Sequence, residues 1–390
     1  MSVTSTESAI ALLCDLVAIP SINPMGGAYD APDPVERRVI EYVEDFFRPY
    51  SLKTQRQSCG LFHENLLVTL PGKSPRGGTL FESHADTVPV DGWSDRALKP
   101  RVEGSIVTGR GACDDKASLA AMMLAMRHLL DSGTPPPQPV YLLVAGDEEY
   151  AQTGIKEFLR TCQLSLGRGV FGEPTELMPV IQNKGMVRWD ISTHGRSAHT
   201  SRPELGRNAI LDMLIVIERL RRHEAELHRR HTSPLMTAPT VTVTMIQGGR
   251  TRNTVPDACT IAVDYRVIPG MDPAVAREEI IGILGELDVQ LSHGEPKLLT
   301  PPLATSAADS FVRGVVEICG QQLGRQVIPR GVPYGTDASW MPPGCPAIVL
   351  GPGSIDSTHS VDENIDARQV VACAEIHRRI MLRNWLATAP

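Results

Sequence analysis

The first half of the sequence alternates short apolar runs, each ended by turn residues, with segments of helical periodicity. The runs "ENLLVTLPG" (64–72), "GGTLFESHAD" (77–86) and "PVYLLVAGDEE" (139–149) have the length and boundaries of strands. The segment "ASLAAMMLAMRHLLDSG" (117–133) has the pattern of a strongly apolar helix closed by a glycine. Such alternation is typical of an α/β fold, in which helices cover both faces of a mostly parallel sheet.

A different pattern begins at about Gly185. Alternating strand-like segments and two helical segments, 208–231 and 272–287, follow one another in β-α-β-β-α-β order. That order is the ferredoxin-like arrangement of two helices on one antiparallel sheet. Because the α/β pattern returns near residue 300, we predict that residues 1–184 and 295–390 form one α/β domain. Residues 185–294 would form an α+β domain inserted into it.

Composition excludes several classes of partner. With 390 residues, 42% of them hydrophobic, and a formal net charge of −7, the chain can bury a large core but has no excess positive charge for nucleic acid. It has no apolar run of about 18 residues, so no membrane span is expected. Its first residues lack the basic segment of a signal peptide. The eight cysteines are scattered without a CxxC pair, which favours a reducing, cytoplasmic compartment.

Metal-binding residue types follow several of the predicted strands. His84 and Asp86 point to the same side of an extended segment, where the carboxylate can support an imidazole that binds a metal. Similar residues occur in "GRGACDDKAS" (109–118), "AGDEEY" (145–150), "FGEPT" (171–175) and "GPGSIDSTHSVDEN" (351–364). Each segment alone could be a solvated turn. Together they offer two imidazoles and at least three carboxylates, which suit a pair of divalent ions of the zinc type.

The ordered motifs resemble those of the M20 family of metallopeptidases and N-acyl amino acid amidohydrolases. They are H-x-D, G-R-G-x-x-D-D-K, D-E-E, G-E-P-T, H-G-x-x-x-H, N-x-V-P, D-x-R and G-P-G-S-I…H, and they span nearly the whole chain. The resemblance implies a zinc-aminopeptidase-like α/β catalytic domain with an inserted ferredoxin-like α+β domain that acts as a lid and in dimerisation. Ser83 stands where a glycine is usual, and Ala117-Ser118 replace a common Gly-Gly, but neither change removes a ligand.

The resemblance also assigns roles in a centre of two Zn²⁺ ions, for which Co²⁺ or Mn²⁺ can substitute. Glu148 would be the general base, and Asp86 would fix the tautomer of the imidazole that precedes it. The metal ligands would be a bridging Asp114, with His84 and Glu173 on one ion and Glu149 and His359 on the other.

Residues of the inserted domain would complete the site. His199, in "HGRSAHTSRPELGRNAI", would reach the active site of a partner subunit and help to hold the oxyanion, which implies a homodimer. Arg266, Asn253, Gly335 and Thr336 resemble the family's substrate contacts. The structural alternatives are a surface-loop histidine, a strand-face arginine and ordinary turns.

We expect a hydrolase of a small N-acylated amino acid, most similar to acetylornithine deacetylase, which converts N-acetylornithine and water into ornithine and acetate. Coordination to a divalent ion can lower the pKa of a water molecule towards about 7, which makes amide hydrolysis feasible at neutral pH. Succinyl-diaminopimelate desuccinylase, a di- or tripeptidase and a carboxypeptidase are alternatives with the same chemistry. A non-catalytic binding relative is the alternative of a different class.

Overall fold

The structure, a computed structural model, describes residues 5–386 and has a mixed α/β fold, which confirms the predicted class. The first and last four residues of the predicted catalytic domain lie outside the described part. No helix in residues 5–386 is long and apolar enough to cross a membrane. The helices are α1 (Thr6–Ala18), α2 (Arg37–Phe47), α3 (Ser94–Ala97), α4 (Lys116–Asp131), α5 (Thr153–Thr161), α6 (Ala209–Arg230), α7 (Pro273–Gly285), α8 (Ser310–Leu323) and α9 (Ala367–Leu382).

The strands fall into three sheets. In chain order they are β1 (Lys53–Ser58), β2 (Glu64–Leu70), β3 (Gly78–His84), β4 (Arg101–Glu103), β5 (Ile106–Thr108), β6 (Val140–Ala145), β7 (Leu166–Phe171), β8 (Val180–Asn183), β9 (Gly185–His194), β10 (Thr240–Gly248), β11 (Ala258–Val267), β12 (Leu291–His293), β13 (Leu298–Thr300), β14 (Leu303–Ala304), β15 (Arg330–Val332), β16 (Ala347–Val349) and β17 (Asn364–Asp366).

The chain divides into two compact units, and the first comprises the described parts of Met1–Ile181, Thr305–Arg330 and Thr336–Pro390. Its main sheet runs in the order β1-β2-β6-β3-β7-β16. The pairs β3–β6, β3–β7 and β16–β7 are parallel, whereas β1 and β2 add antiparallel pairing at one side. The carboxyl ends of β3, β6, β7 and β16 therefore lie along one edge of the sheet.

Burial explains why the centre of this sheet has a nearly continuous apolar sequence. Every residue of β3 and of β6 is buried, as expected for parallel strands covered on both faces. Helix α4 packs against α1 and α9, and most of its residues are buried. Most of these buried residues are alanine, leucine or methionine. This packing anchors the beginning of α4, and with it the loop that carries Asp114.

The second unit comprises Gln182–Ala304 and Gly331–Gly335. Its antiparallel sheet has the order β10-β11-β9-β12, and α6 and α7 pack on the sheet. With a chain order of β9-α6-β10-β11-α7-β12, this is a ferredoxin-like arrangement. Asn208 and Asp272 cap the two helices by accepting hydrogen bonds from main-chain N–H groups of the first turn.

The second unit extends beyond the predicted limits of 185–294. Strand β13 pairs with β9, and Leu303 and Ala304 of β14 pair with Asn183 and Gln182. The N–H of Lys184 donates to the carbonyl of Val332, which ties the separate segment 331–335 to the unit. These strands have only two or three residues, too few for hydrophobic alternation to reveal them in the sequence.

The core of the second unit yields a stability prediction. Ile280 on α7 is fully buried in the apolar cluster that includes Trp189, whereas Val275 on the same helix is 67% exposed. We expect Ile280→Ala to lower the free energy of unfolding by about 2–5 kcal/mol, because it removes buried methylene groups and leaves a cavity. The matched Val275→Ala should change it by less than about 0.5 kcal/mol. Urea unfolding followed by tryptophan fluorescence measures both, and equal midpoints would contradict the prediction.

Candidate active site

The predicted metal ligands lie where the parallel strands end. His84 is the last residue of β3 and pairs in register with Ala145, the last residue of β6. Glu148 and Glu149 lie in the turn that follows β6, and Glu173 is the second residue after β7. The carboxyl ends of parallel strands are where α/β sheets bind their ligands.

The carboxylate of Asp114 lies between two imidazoles. Its Oδ1 is 3.0 Å from Nε2 of His84, and its Oδ2 is 3.1 Å from Nε2 of His359. The same Nε2 of His359 is 3.3 Å from Oε2 of Glu149. Each oxygen of Asp114 thus faces a different imidazole, which is the arrangement that a carboxylate bridging two ions requires.

Two groups of ligand atoms in this site could each hold a metal ion. One group is His84, Glu148 and Glu173, the other is His84, Asp114 and Glu149, and within each group the atoms lie within 4.8 Å of one another. Oε1 of Glu149 is buried and accepts no hydrogen bond from the described residues. Nitrogen and carboxylate oxygen at this spacing suit zinc-type divalent ions. Both groups include His84, so the second ion of the expected pair would also need His359, which contacts Asp114 and Glu149. With His359 included, the donor set fits the expected pair of ions.

The three glutamic acid side chains of this site have raised pKa values. Burial is the main cause for Glu148, Glu149 and Glu173, and neighbouring carboxylates add to it. Asp337 has the largest charge effect on Glu148, whereas Asp114 has that effect on the other two. Charged carboxylates that are this close and this buried repel one another, so a cation would stabilise them.

The pKa of Asp114 is lowered, whereas the pKa values of the two imidazoles are raised, so that these three groups favour their charged forms. Burial would raise the pKa of Asp114, but hydrogen bonds with His359 and His84 lower it well below its usual value. Hydrogen bonds with Asp114 and Glu149 raise the pKa of His359 to about 10. Burial alone would lower the pKa of His84, but Asp114 and Asp86 raise it well above the usual range. The site therefore attracts positive charge strongly.

Asp86 differs from its predicted role in one respect. The Nδ1–H of His84 donates to the main-chain carbonyl of Asp86 at 2.9 Å, while the nearest carboxylate oxygen is 3.7 Å away. The carbonyl therefore fixes the imidazole tautomer and leaves Nε2 free to bind a metal. The Asp86 carboxylate instead accepts the main-chain N–H groups of Glu148 and Glu149, at 3.1 and 3.3 Å.

Sequence reasoning missed a buried network behind this carboxylate. The amide of Asn23 donates to Asp86 at 2.8 Å and to Asp147 at 3.0 Å, and so holds two carboxylates that would otherwise repel. His63 lies between Asp147, at 3.5 Å, and Glu36, at 2.7 Å. Burial is the main reason that the pKa of Glu36 rises to about 7. A lone Asn or Glu in a polar segment gives no signal of such a network.

Glu363 was also missed. Its fully buried carboxylate accepts main-chain N–H groups of Gly111, Cys113 and Asp114 at 3.2, 2.8 and 3.0 Å, and it pairs with Arg110 at 2.6 Å. It precedes β17, which pairs with β5, so its backbone is fixed by the small sheet. Glu363 therefore positions the loop that presents Asp114. Its place four residues after His359 was visible in the sequence, but its partners were not.

The remaining predicted residues lie in both units. Within the second unit, Nδ1 of His199 is 2.8 Å from the hydroxyl of Ser201, and the guanidinium of Arg266 pairs with Asp264 at 2.7 Å. Asn253 is exposed, and its carbonyl accepts the N–H of Thr200. A side chain at Gly335 would overlap Met186.

Thr336, in the first unit, is fully buried and immediately precedes the short helical turn Asp337–Trp340. The structure thus brings the predicted metal ligands together. For the predicted substrate contacts, it shows only which neighbouring residues each of them touches.

Comparison with known proteins agrees with this geometry. A family model described as peptidase family M20/M25/M40 matches residues 80–383. Acetylornithine deacetylase from Klebsiella pneumoniae (strain 342) is 30% identical over 376 residues, which cover 94% of this chain and 95% of that protein.

Solved structures give the same result for the fold. Aminopeptidase PepT from Bacillus cereus ATCC 10987 superposes with a TM-score of 0.79 at 20% identity, covering 97% of this chain and 98% of that one. A dinuclear metal-binding peptidase of family M20 from Bacillus subtilis superposes with a TM-score of 0.69 at 14% identity, covering 97% of each chain. The resemblance found in the motifs is confirmed: the chain belongs to peptidase family M20/M25/M40 and is a hydrolase of amide carbon–nitrogen bonds.

Proposed function

We propose that this hydrolase removes the acyl group from an N-acyl amino acid, with N-acetylornithine as the proposed substrate. The observation that carries the proposal is the placement of Asp114 between His84 and His359, with Glu148 beside them. The 30% identical relative named acetylornithine deacetylase supports the choice of acyl group and amino acid.

Two zinc ions are the proposed cofactors, held by Asp114 together with His84, Glu173, Glu149 and His359. When bound, they would supply the positive charge that makes water nucleophilic and polarises the substrate carbonyl. The side chains do the remaining work. They would hold the ions at one edge of the sheet, and the Asp86 carbonyl keeps the His84 imidazole in the orientation that ligation needs.

Glu148 moves the proton in the proposed reaction. Its carboxylate takes a proton from water while the water oxygen bonds to the carbonyl carbon of the substrate. The same carboxyl group then gives that proton to the amide nitrogen as the carbon–nitrogen bond breaks. The products are a carboxylic acid and a free amine, and Glu148 returns to its starting state. The acid, which keeps the second proton of the water, then gives that proton to the amine or to solvent.

Replacing the general base tests this role. We expect Glu148→Ala to keep its bound metal, because all five proposed ligands remain. Its kcat should fall about 10²–10⁴-fold through the loss of proton transfer. Metal analysis and steady-state kinetics on the same preparation measure both. Glu103→Ala, at an exposed position, is the control for a lost negative charge. Full turnover by Glu148→Ala would refute the assignment.

A substrate panel tests the reaction and its alternatives. With Zn²⁺ or Co²⁺ bound, we expect kcat/KM to be highest for N-acetylornithine, and a chelator to abolish turnover until metal is restored. Preference for N-succinyl-diaminopimelate would favour a desuccinylase, and preference for short peptides a peptidase. Metal binding without turnover of any acylated substrate would favour the non-catalytic alternative.

We further propose a homodimer formed through the second unit, with His199 acting in the partner's active site. Strand β10 is at the edge of its sheet and exposes Met245 and Ile246, which are 71% and 57% exposed. Helix α6 exposes Leu211, Leu214 and Ile215. An unpaired strand edge beside exposed apolar side chains is a surface that a second copy can cover.

Mixing two inactive variants tests this arrangement. If His199 acts on the partner's site, a mixture of His199→Ala and Glu148→Ala protomers should regain about a quarter of the wild-type rate, since half of the dimers then contain one intact site. Neither variant alone should be active. A mixture that remains inactive after subunit exchange, verified by mass spectrometry, would contradict action between subunits.

We propose a cytoplasmic location. All eight cysteines have free thiols, as expected for a protein kept in a reducing compartment. The proposed partners are the small substrate and a second copy of the chain, rather than nucleic acid or membrane, in keeping with the net charge of −7.

A further inference from the structure

Gln152 contacts the proposed general base. Its Nε2 donates a hydrogen bond of 3.1 Å to Oε1 of Glu148, four residues earlier in the chain. Gln152 is 3% exposed, so solvent does not compete strongly for this amide. The hydrogen bond engages Oε1 and thereby restrains rotation of the Glu148 carboxylate.

Trp340 fixes which way the Gln152 amide points. The indole N–H of Trp340 donates to Oε1 of Gln152 at 3.0 Å. Because an indole N–H can only donate, the amide atom that it faces must be the oxygen. The NH₂ group of Gln152 must then face Glu148, so the two hydrogen bonds determine each other.

The main chain also holds Gln152 in an unusual conformation. Its φ is +55°, in the left-handed region that non-glycine residues rarely adopt. Its N–H donates to the carbonyl of Asp147 at 2.6 Å, and it lies immediately before helix α5. This conformation costs free energy, which is consistent with a side chain that must be presented in one particular direction.

Trp340 is itself held in place. It ends the short turn Asp337–Trp340, and the ammonium group of Lys156 on α5 lies 4.8 Å from the centre of its ring. A cation over an aromatic face is attractive and restrains both side chains. The chain of contacts Trp340–Gln152–Glu148 is therefore anchored at one end by α5 and at the other by the loop after β6.

We propose that Gln152, oriented by Trp340, is a positioning residue that aims the carboxylate of Glu148 at the reacting water. The proposal rests on the proposed function, in which Glu148 is the general base. Proton transfer needs its donor and acceptor within hydrogen-bond reach and aligned. A carboxylate free to rotate loses that alignment for part of the time, so the chemical step slows while substrate binding is unaffected.

Three variants test the proposal. Gln152→Met keeps the length of the side chain but removes the hydrogen bond, and we expect kcat to fall about 10–100-fold with KM and metal content unchanged. Gln152→Glu replaces the donor by an acceptor and should lose at least as much. Trp340→Phe keeps most of the ring but frees the amide to rotate, so it should lose less, about 3–10-fold.

A double-variant cycle separates positioning from general stability. Because Trp340 acts through Gln152, Gln152→Met combined with Trp340→Phe should be no slower than Gln152→Met alone. Independent structural effects would instead multiply. Gln163→Met, at an exposed position outside this chain of contacts, is the matched control and should keep the wild-type kcat.

The outcomes distinguish this proposal from the one on which it rests. Full turnover by Glu148→Ala would refute the general base itself. An inactive Glu148→Ala with a wild-type kcat in Gln152→Met or Gln152→Glu would refute only the positioning role. If Gln152→Met fails to fold, Trp340→Phe and Gln152→Glu decide the matter by the same comparison of kcat with KM.

Discussion

Buried negative charge at one edge of the main sheet is the constraint on which this active site depends. His84, Glu149 and Glu173 lie close together because the parallel strands β3, β6 and β7 end side by side, and Asp114 joins them from the loop before α4. Burial raises the pKa of the glutamic acids, while the two imidazoles hold that of Asp114 low. Divalent cations bound here would stabilise every one of these carboxylates as an anion, including the glutamates whose charged forms burial disfavours.

Carboxylates that do not bind metal keep the ligands in place. Asp86 accepts the N–H groups of Glu148 and Glu149, and Glu363 accepts those of Gly111, Cys113 and Asp114. Hydrogen bonds from several main-chain N–H groups to one buried carboxylate are strong, and they hold the backbone of those residues in one conformation. These contacts therefore restrain the loops that present the ligands.

The metal ligands could be predicted from the sequence, by their position after strands or by the family's motifs, whereas the contacts that hold them in place could not. Strand ends are visible as apolar runs, and a parallel sheet brings their carboxyl ends together whatever the loops do. Asn23, Gln152 and Glu363 lie in polar segments without periodicity. Asn23 and Asp86 are 63 residues apart, and Arg110 and Glu363 are 253 apart, so no local pattern connects them. The limits of the second unit were missed for a similar reason, since its short strands contribute too few residues to show alternation.

Two separate contacts hold the main chain and the side chain of Glu148. The main chain of Glu148 is held by Asp86, which belongs to the segment after β3, whereas its carboxylate is held by Gln152 at the start of α5. Neither contact alone fixes the carboxylate, because a fixed backbone still permits side-chain rotation and a single hydrogen bond permits the loop to shift. Both together restrain the orientation of the carboxylate, which proton transfer from water and to the substrate nitrogen requires. The precision of the general base thus comes from separate elements of the same unit, each anchored by its own buried contacts.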